Sequence, residues 1–188
     1  GNSANQQQTF SDMKLGAIIA LMLMYLVLAW VFSSYGWPLL VMITIPLGLT
    51  GAVLGHWIMD MNMTILSLFG FFGLSGIVVN DSIILVMFYQ QIRNSGVAVY
   101  KALEEAACQR LRAVLLTSLT TIAGLTPLLF ETSRQAQFLI PMAVSIAFGL
   151  AFATVLILLV IPAMLSIYED VRIWLSNDIE TPIEAIKP

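Results

Sequence analysis

The sequence predicts an all-α membrane protein with five transmembrane helices and one amphipathic helix on the membrane surface. Three observations predict it. Of the 188 residues, 59% are hydrophobic and only 10% are charged, against roughly 25% charged in a typical soluble domain. Five apolar runs, at 15–32, 38–59, 64–89, 113–130 and 138–168, are each long enough to cross a hydrocarbon core of about 30 Å. The polar segments between them are short, except one at 90–112 with a two-faced pattern. Backbone groups find no water to bond inside lipid, so each run is expected as helix.

Taken in order, residues 1–14 read as a periplasmic lead. They carry neither an initiator Met nor a signal-peptide pattern, so the chain is expected to be a piece of a longer protein. The transmembrane domain is placed at 15–168. Its first two runs are separated by a tight turn at 33–37, with Gly36 and Pro38 as breakers. The next connection, 60–62, is equally short, and 131–137 is polar with one acid and one base. The third and fifth runs exceed the usual span, so they should tilt or project past the headgroups.

Within 90–112, Val99, Leu103, Ala106 and Ala107 fall on one helical face and Lys101, Glu104 and Glu105 on the other. This predicts a surface helix at about 97–109, entered through Asn94-Ser95-Gly96. Lys101 and Glu105 stand i,i+4, worth a few tenths of a kcal/mol. The acidic tail, 169–188, is expected to be loosely attached beyond Ser176.

Basic residues set the orientation. Arg93, Lys101, Arg110 and Arg112 share one connection, which is therefore cytoplasmic. Arg172 and Lys187 join that side, and only Lys14 and Arg134 fall outside. The N-terminus is then periplasmic and the C-terminus cytoplasmic. Trp30, Tyr35 and Trp37 mark the inner interface and Trp57 the outer one.

Several function classes find no support. No basic patch points to nucleic acid. The single cysteine, Cys108, allows no intrachain disulfide. No nucleophile–base motif, phosphate loop or zinc spacing is visible, so no enzyme, cofactor or metal is expected. His56 is one turn before Asp60, and an interfacial His–Asp contact is expected there. The ten methionines are dispersed, as packing or lipid contacts would be. Gly70, Gly73 and Gly76, and Gly48, Gly51 and Gly55, read as close helix packing, with a sliding surface as the secondary possibility.

Asp81 is the candidate for chemistry. It lies well inside the third apolar run, beside Asn80, Ser82 and Ser75. An ionised side chain at bilayer depth costs about 2.5–3.5 kcal/mol on insertion scales, so such residues mark functional sites by default. No Lys or Arg shares its span up to residue 89, so its charge is to be met by another helix, by water or by protonation. The ordinary alternative is that Asp81 caps a break or pairs with a buried donor. The fourth run opens on Arg110-Leu111-Arg112 and carries Thr117, Ser118, Thr120 and Thr121. Such hydroxyls commonly bond back to their own helix, but Thr117 and Thr121 share a face with Gly124 and would be able to present hydroxyls to Asp81 or a water chain. Arg112 reads as an interface anchor, whereas Arg110 would line a water entry.

The stretches Gly73-Leu74-Ser75-Gly76-Ile77-Val78-Val79-Asn80-Asp81-Ser82-Ile83-Ile84-Leu85-Val86, Arg110-Leu111-Arg112-Ala113-Val114-Leu115-Leu116-Thr117-Ser118-Leu119-Thr120-Thr121 and Ile45-Pro46-Leu47-Gly48 resemble the tenth, eleventh and ninth transmembrane helices of resistance-nodulation-division (RND) efflux pumps, in the hydrophobe/amphiphile subgroup related to AcrB. The resemblance runs from about Thr9 to Glu169. It implies helices eight to twelve of a proton-driven exporter of the bacterial inner membrane. The implied partners are the N-terminal half and periplasmic domain of the same pump, two further copies in a homotrimer, a periplasmic adaptor and an outer-membrane channel. It also implies that Thr117 and Arg110 occupy the family's threonine and arginine positions in the proton relay. The family's lysine position aligns with Asn80, which carries no charge, while Asp81 next to it supplies an acid. With Asp81, Ser82 and Thr121 read from the residues themselves, the candidate proton relay is Asp81, Asn80, Ser82, Thr117, Thr121 and Arg110. The other classes considered are a non-transporting membrane scaffold and an RND relative with another cargo, such as lipid, or a protein-translocation helper.

Overall fold

A computed structural model describes residues 2–180, with side chains over 5–175. Its elements are seven helices: α1 (Asn2–Phe32), α2 (Gly36–Met42), α3 (Thr44–Ile58), α4 (Ile65–Asn94), α5 (Val99–Leu129), α6 (Arg134–Gln137) and α7 (Ile140–Glu180). No strand occurs among the described residues. Five stretches are long and apolar enough to cross a membrane: Asn5–Phe32, Gly36–Ile58, Ile65–Asn94, Val99–Leu129 and Ile140–Leu175. The predicted fold class is the observed one.

Four boundaries differ from expectation, each for a local reason. The lead expected outside the membrane is helical from Asn2 and continuous with the first apolar run. The second apolar run is interrupted at Ile43. Pro46 has no N–H to give the Met42 carbonyl and its ring crowds that carbonyl, so the chain ends one helix and starts another. Residues 99–109 do form a helix with Ala102, Leu103 and Ala106 buried and Lys101 and Glu104 exposed. They are the first turns of α5 and not a separate element, because no glycine or proline lies between Gly96 and Gly124 to end the helix. At the other end, α7 continues through Ser176 to Glu180, since no breaker stands between Pro162 and Pro182. The rest of the acidic tail, 181–188, lies outside the described residues.

Two compact units are present, 1–43 and 44–188. In the first, α1 packs on α2, and the Tyr25 hydroxyl donates to the Tyr35 carbonyl at 3.3 Å across the turn. Ser33 takes a positive φ of 48° in that turn.

In the second unit α7 packs against α3, α4 and α5. The α3–α7 approach is close because Gly51 and Gly55 lie directly against Phe152 and Phe148; a Cβ at either would overlap them. Gly70 of α4 meets the Met142 carbonyl of α7, and Leu74, fully buried, occupies the space over Gly48 and Gly149. Gly73 and Gly76 do not pack: nothing lies within 4 Å of a Cβ built on either, so the expected three-glycine contact reduces to Gly70. α4 opens with a capping box in which the Thr64 hydroxyl accepts from the Ser67 amide and the Ser67 hydroxyl accepts from the Thr64 amide. It ends before Gly96, whose φ of +89° suits a residue without a Cβ.

Trp30, Tyr35 and Trp57 are each about 80% exposed, as interface anchors are. Trp37, expected among them, is buried.

Candidate functional site

Asp81 lies just past the midpoint of α4 and is 6% exposed. Its Oδ2 is buried with no hydrogen-bond partner. Arg110, from the neighbouring α5, is the charged group that acts on it. The Arg110 Nε is likewise buried and unpartnered. The guanidinium lies over the Phe88 ring, 5.2 Å from its centroid, a cation–π contact that holds it beside α4. A carboxylate oxygen and a guanidinium N–H thus stand unpaired in one interior. Each unmade bond costs about 1–3 kcal/mol, so the pair is poised to gain a proton, a water or each other.

The remaining expected members are placed differently. Ser82 is fully buried and donates to the Thr44 hydroxyl at 3.2 Å and to the Val78 carbonyl at 2.8 Å, which ties α4 to α3. Ser75 donates to Phe72 O at 2.7 Å. Asn80 is exposed, on the face of α4 that also carries Gly73 and Gly76. Thr117 and Thr121 donate to Ala113 O at 2.9 Å and Thr117 O at 2.8 Å, within their own helix. No hydrogen bond joins Asp81 to Asn80 or Thr117 among the described residues. The expected presentation of those threonine hydroxyls to Asp81 is therefore not what the structure has. Back-bonding to the i−4 carbonyl satisfies them locally.

Ser118 does cross between helices, 2.6 Å from the Thr154 hydroxyl of α7, both buried. Thr154 carried no sequence signal, since a lone threonine in an apolar run is commonplace.

His56 corrects another expectation. It is 2% exposed and does not pair with Asp60. Its Nδ1 lies 2.9 Å from Ala52 O, and its Nε2 lies 2.7 Å from the Ser67 hydroxyl. With Nδ1–H donating to the carbonyl, Nε2 accepts from Ser67, and both ring nitrogens are satisfied in the neutral form. Ser145 of α7 donates to the Ser67 carbonyl at 2.9 Å, so one end of α3, α4 and α7 is joined by polar bonds. Asp60 instead takes a positive φ of 51° in the α3–α4 turn.

Sequence reasoning also missed a buried acid at the other end of α7. Glu169 is 6% exposed and accepts from the Tyr89 hydroxyl at 3.0 Å. It was grouped with an acidic tail, and only its i−4 to i+4 apolar neighbours Leu165 and Ile173 hinted otherwise. Outside the spans, the Glu131 carboxyl accepts from the Thr132 and Ser133 amides at 2.9 and 3.0 Å. Those backbone bonds hold it below the usual carboxylate range.

No group of three or more His, Cys, Asp or Glu side chains able to hold a metal occurs among the described residues. Five helices long and apolar enough to cross a membrane define a class: a multi-pass helical membrane domain. The chain belongs to the AcrB/AcrD/AcrF family, whose model matches residues 1–169, and the RND efflux-pump resemblance holds. It is 33% identical over 146 residues to the cobalt-zinc-cadmium resistance protein CzcA of Cupriavidus metallidurans, covering 78% of this chain and 14% of that protein. It is 27% identical over 178 residues to the multidrug resistance protein MdtC of Klebsiella pneumoniae, covering 94% of this chain and 17% of that one. A heavy metal efflux pump solved by crystallography superposes with a TM-score of 0.83 at 26% identity, over 90% of this chain and 17% of that one. The chain therefore spans under a fifth of the length of these relatives.

Proposed function

We propose that the chain is the C-terminal membrane half of a proton-driven RND exporter, and that Asp81 is its titrating acid. The observation that carries this reading is the buried, unpartnered Asp81 Oδ2 within reach of the Arg110 charge. A proton arriving from the periplasmic side neutralises Asp81 and weakens its attraction to Arg110. Release to the cytoplasmic side restores that attraction. Two arrangements of α4 and α5 with different charge follow, which is what coupling to an external proton gradient requires.

The open face of α4 at Gly73, Gly76 and Asn80, and that of α5 at Thr117, Thr121 and Gly124, supports contact with further helices of the longer protein. Small residues admit close backbone approach, and free acceptor lone pairs on the hydroxyls serve partners or water. The N-terminal half, a periplasmic domain, a homotrimer, a periplasmic adaptor and an outer-membrane channel complete the proposed assembly. The proposed orientation in the inner membrane has the N-terminus periplasmic and the C-terminus cytoplasmic. No catalytic step is proposed.

The proposed cargo is hydrophobic or amphiphilic compounds, which accords with the name of the relative MdtC. A second reading, export of divalent heavy-metal cations, is favoured by the names of CzcA and of the superposing structure. The experiment is Asp81→Asn in the full-length protein, assayed for resistance to ethidium and to Cd2+. Resistance to whichever the parent exports should vanish at equal membrane abundance. Undiminished resistance would refute the role of Asp81.

A further inference from the structure

The second buried acid, Glu169, is not used by the proton step above. We propose that Glu169 is a positioning residue for the Asp81 helix: through Tyr89 it fixes the distal end of α4 to α7, so that movement of α4 is transmitted to α7. The inference rests on the proton reading of Asp81 and adds the element that receives its motion.

Tyr89 is fully buried and Glu169 nearly so, and the phenol donates directly to the carboxylate. Hydrogen bonds to an ionised acceptor are about twice as strong as neutral ones. Arg93, one turn beyond Tyr89, engages the same phenol, and its Nη1 donates to the Val97 carbonyl at 3.0 Å in the α4–α5 turn. One connected set of polar groups therefore joins α7, the end of α4 and the entry to α5.

A second polar bond between α4 and α7, from the Ser145 hydroxyl to the Ser67 carbonyl, lies at the opposite end of α4. Ser67 and Tyr89 are 22 residues apart in one helix, about 33 Å at 1.5 Å per residue. Asp81 lies between them, eight residues or about 12 Å from Tyr89. A helix tied at both ends to the same neighbour cannot slide along it by a turn without breaking a buried bond. α4 is left with bending or rotation at mid-span, or with carrying α7 along. The first two pull on Tyr89, and the last requires the tie to hold.

The test uses the purified full-length pump in proteoliposomes, with proton uptake and transport of ethidium or Cd2+ measured in parallel. Tyr89→Phe and Glu169→Ala should each lower transport per proton by about tenfold, the loss of one charged hydrogen bond. Their combination should lower it no further than Tyr89→Phe alone, because both break the Tyr89–Glu169 bond. Glu169→Gln keeps an acceptor for the phenol and should recover part of the ratio. A merely structural role lowers the number of folded pumps and leaves the ratio per pump unchanged. That result, or multiplying effects in the double variant, overturns the inference alone. A parent that takes up no protons overturns the Asp81 reading and the positioning role with it.

Discussion

Gly70 of α4 faces the main chain of Met142 in α7 so closely that a Cβ would stand 2.5 Å from its carbonyl oxygen. Backbone cannot yield as a side-chain tip can, so Gly70→Ala should destabilise the bundle by roughly 1–3 kcal/mol, as overpacking does. Gly73→Ala, one turn on with nothing within 4 Å, should be neutral or stabilise by up to about 1 kcal/mol through helix propensity. Urea or thermal unfolding of the isolated chain in detergent reads both. In the full-length protein Gly73→Ala should become destabilising, if that face meets another helix; a neutral effect there would count against the docking face proposed above.

His56 and Ser67 offer a second measurement. Removing either partner leaves a buried polar group unsatisfied, at about 1–3 kcal/mol, and His56→Ala also opens a cavity. The double variant should cost less than the sum of the singles. Strict additivity would show that the 2.7 Å contact contributes nothing.

How much of this was legible in the sequence depends on the kind of residue. Asp81 was, because a carboxylate in an apolar run is conspicuous whatever surrounds it. Its link to Arg110 came only from the resemblance, since the two are on different helices and no spacing rule relates them. Thr117 came to the site from its helix face and from the resemblance, and Asn80 from its place beside Asp81 and from the resemblance; none of these says which neighbour, if any, covers a helix face. His56 near Asp60 looked like a pair because it is local. The structure instead satisfied it through Ser67, eleven residues on in another helix. The continuity of α5 is not legible in the charge pattern, because a helix breaker sets such a boundary and none stands between Gly96 and Gly124.

Cys108 is exposed and is the sole cysteine, on the early turns of α5. The orientation proposed from the basic residues predicts that a membrane-impermeant maleimide labels it in inverted vesicles and not in intact spheroplasts. The reverse pattern would invert the topology.

Glu131 provides a pH readout away from the spans. Its folded value lies below the ordinary carboxylate value of 4.5. The ordering it gives the 131–133 turn is therefore complete above that ordinary value and is lost as pH falls through the depressed one. Carboxyl carbon NMR of selectively labelled Glu should show Glu131 titrating below the ordinary carboxylate value of 4.5; a midpoint at that value would remove the turn bonds from the account.

The four back-bonded threonines of α5, at 117, 120, 121 and 126, each hand their proton to a carbonyl of the preceding turn. A segment whose donors are satisfied internally can enter lipid as a helix before α7, the later-made of its two neighbours, has been synthesised. Its row of hydroxyls thus carries little penalty during biogenesis, while the side that α7 will cover still meets acyl chains.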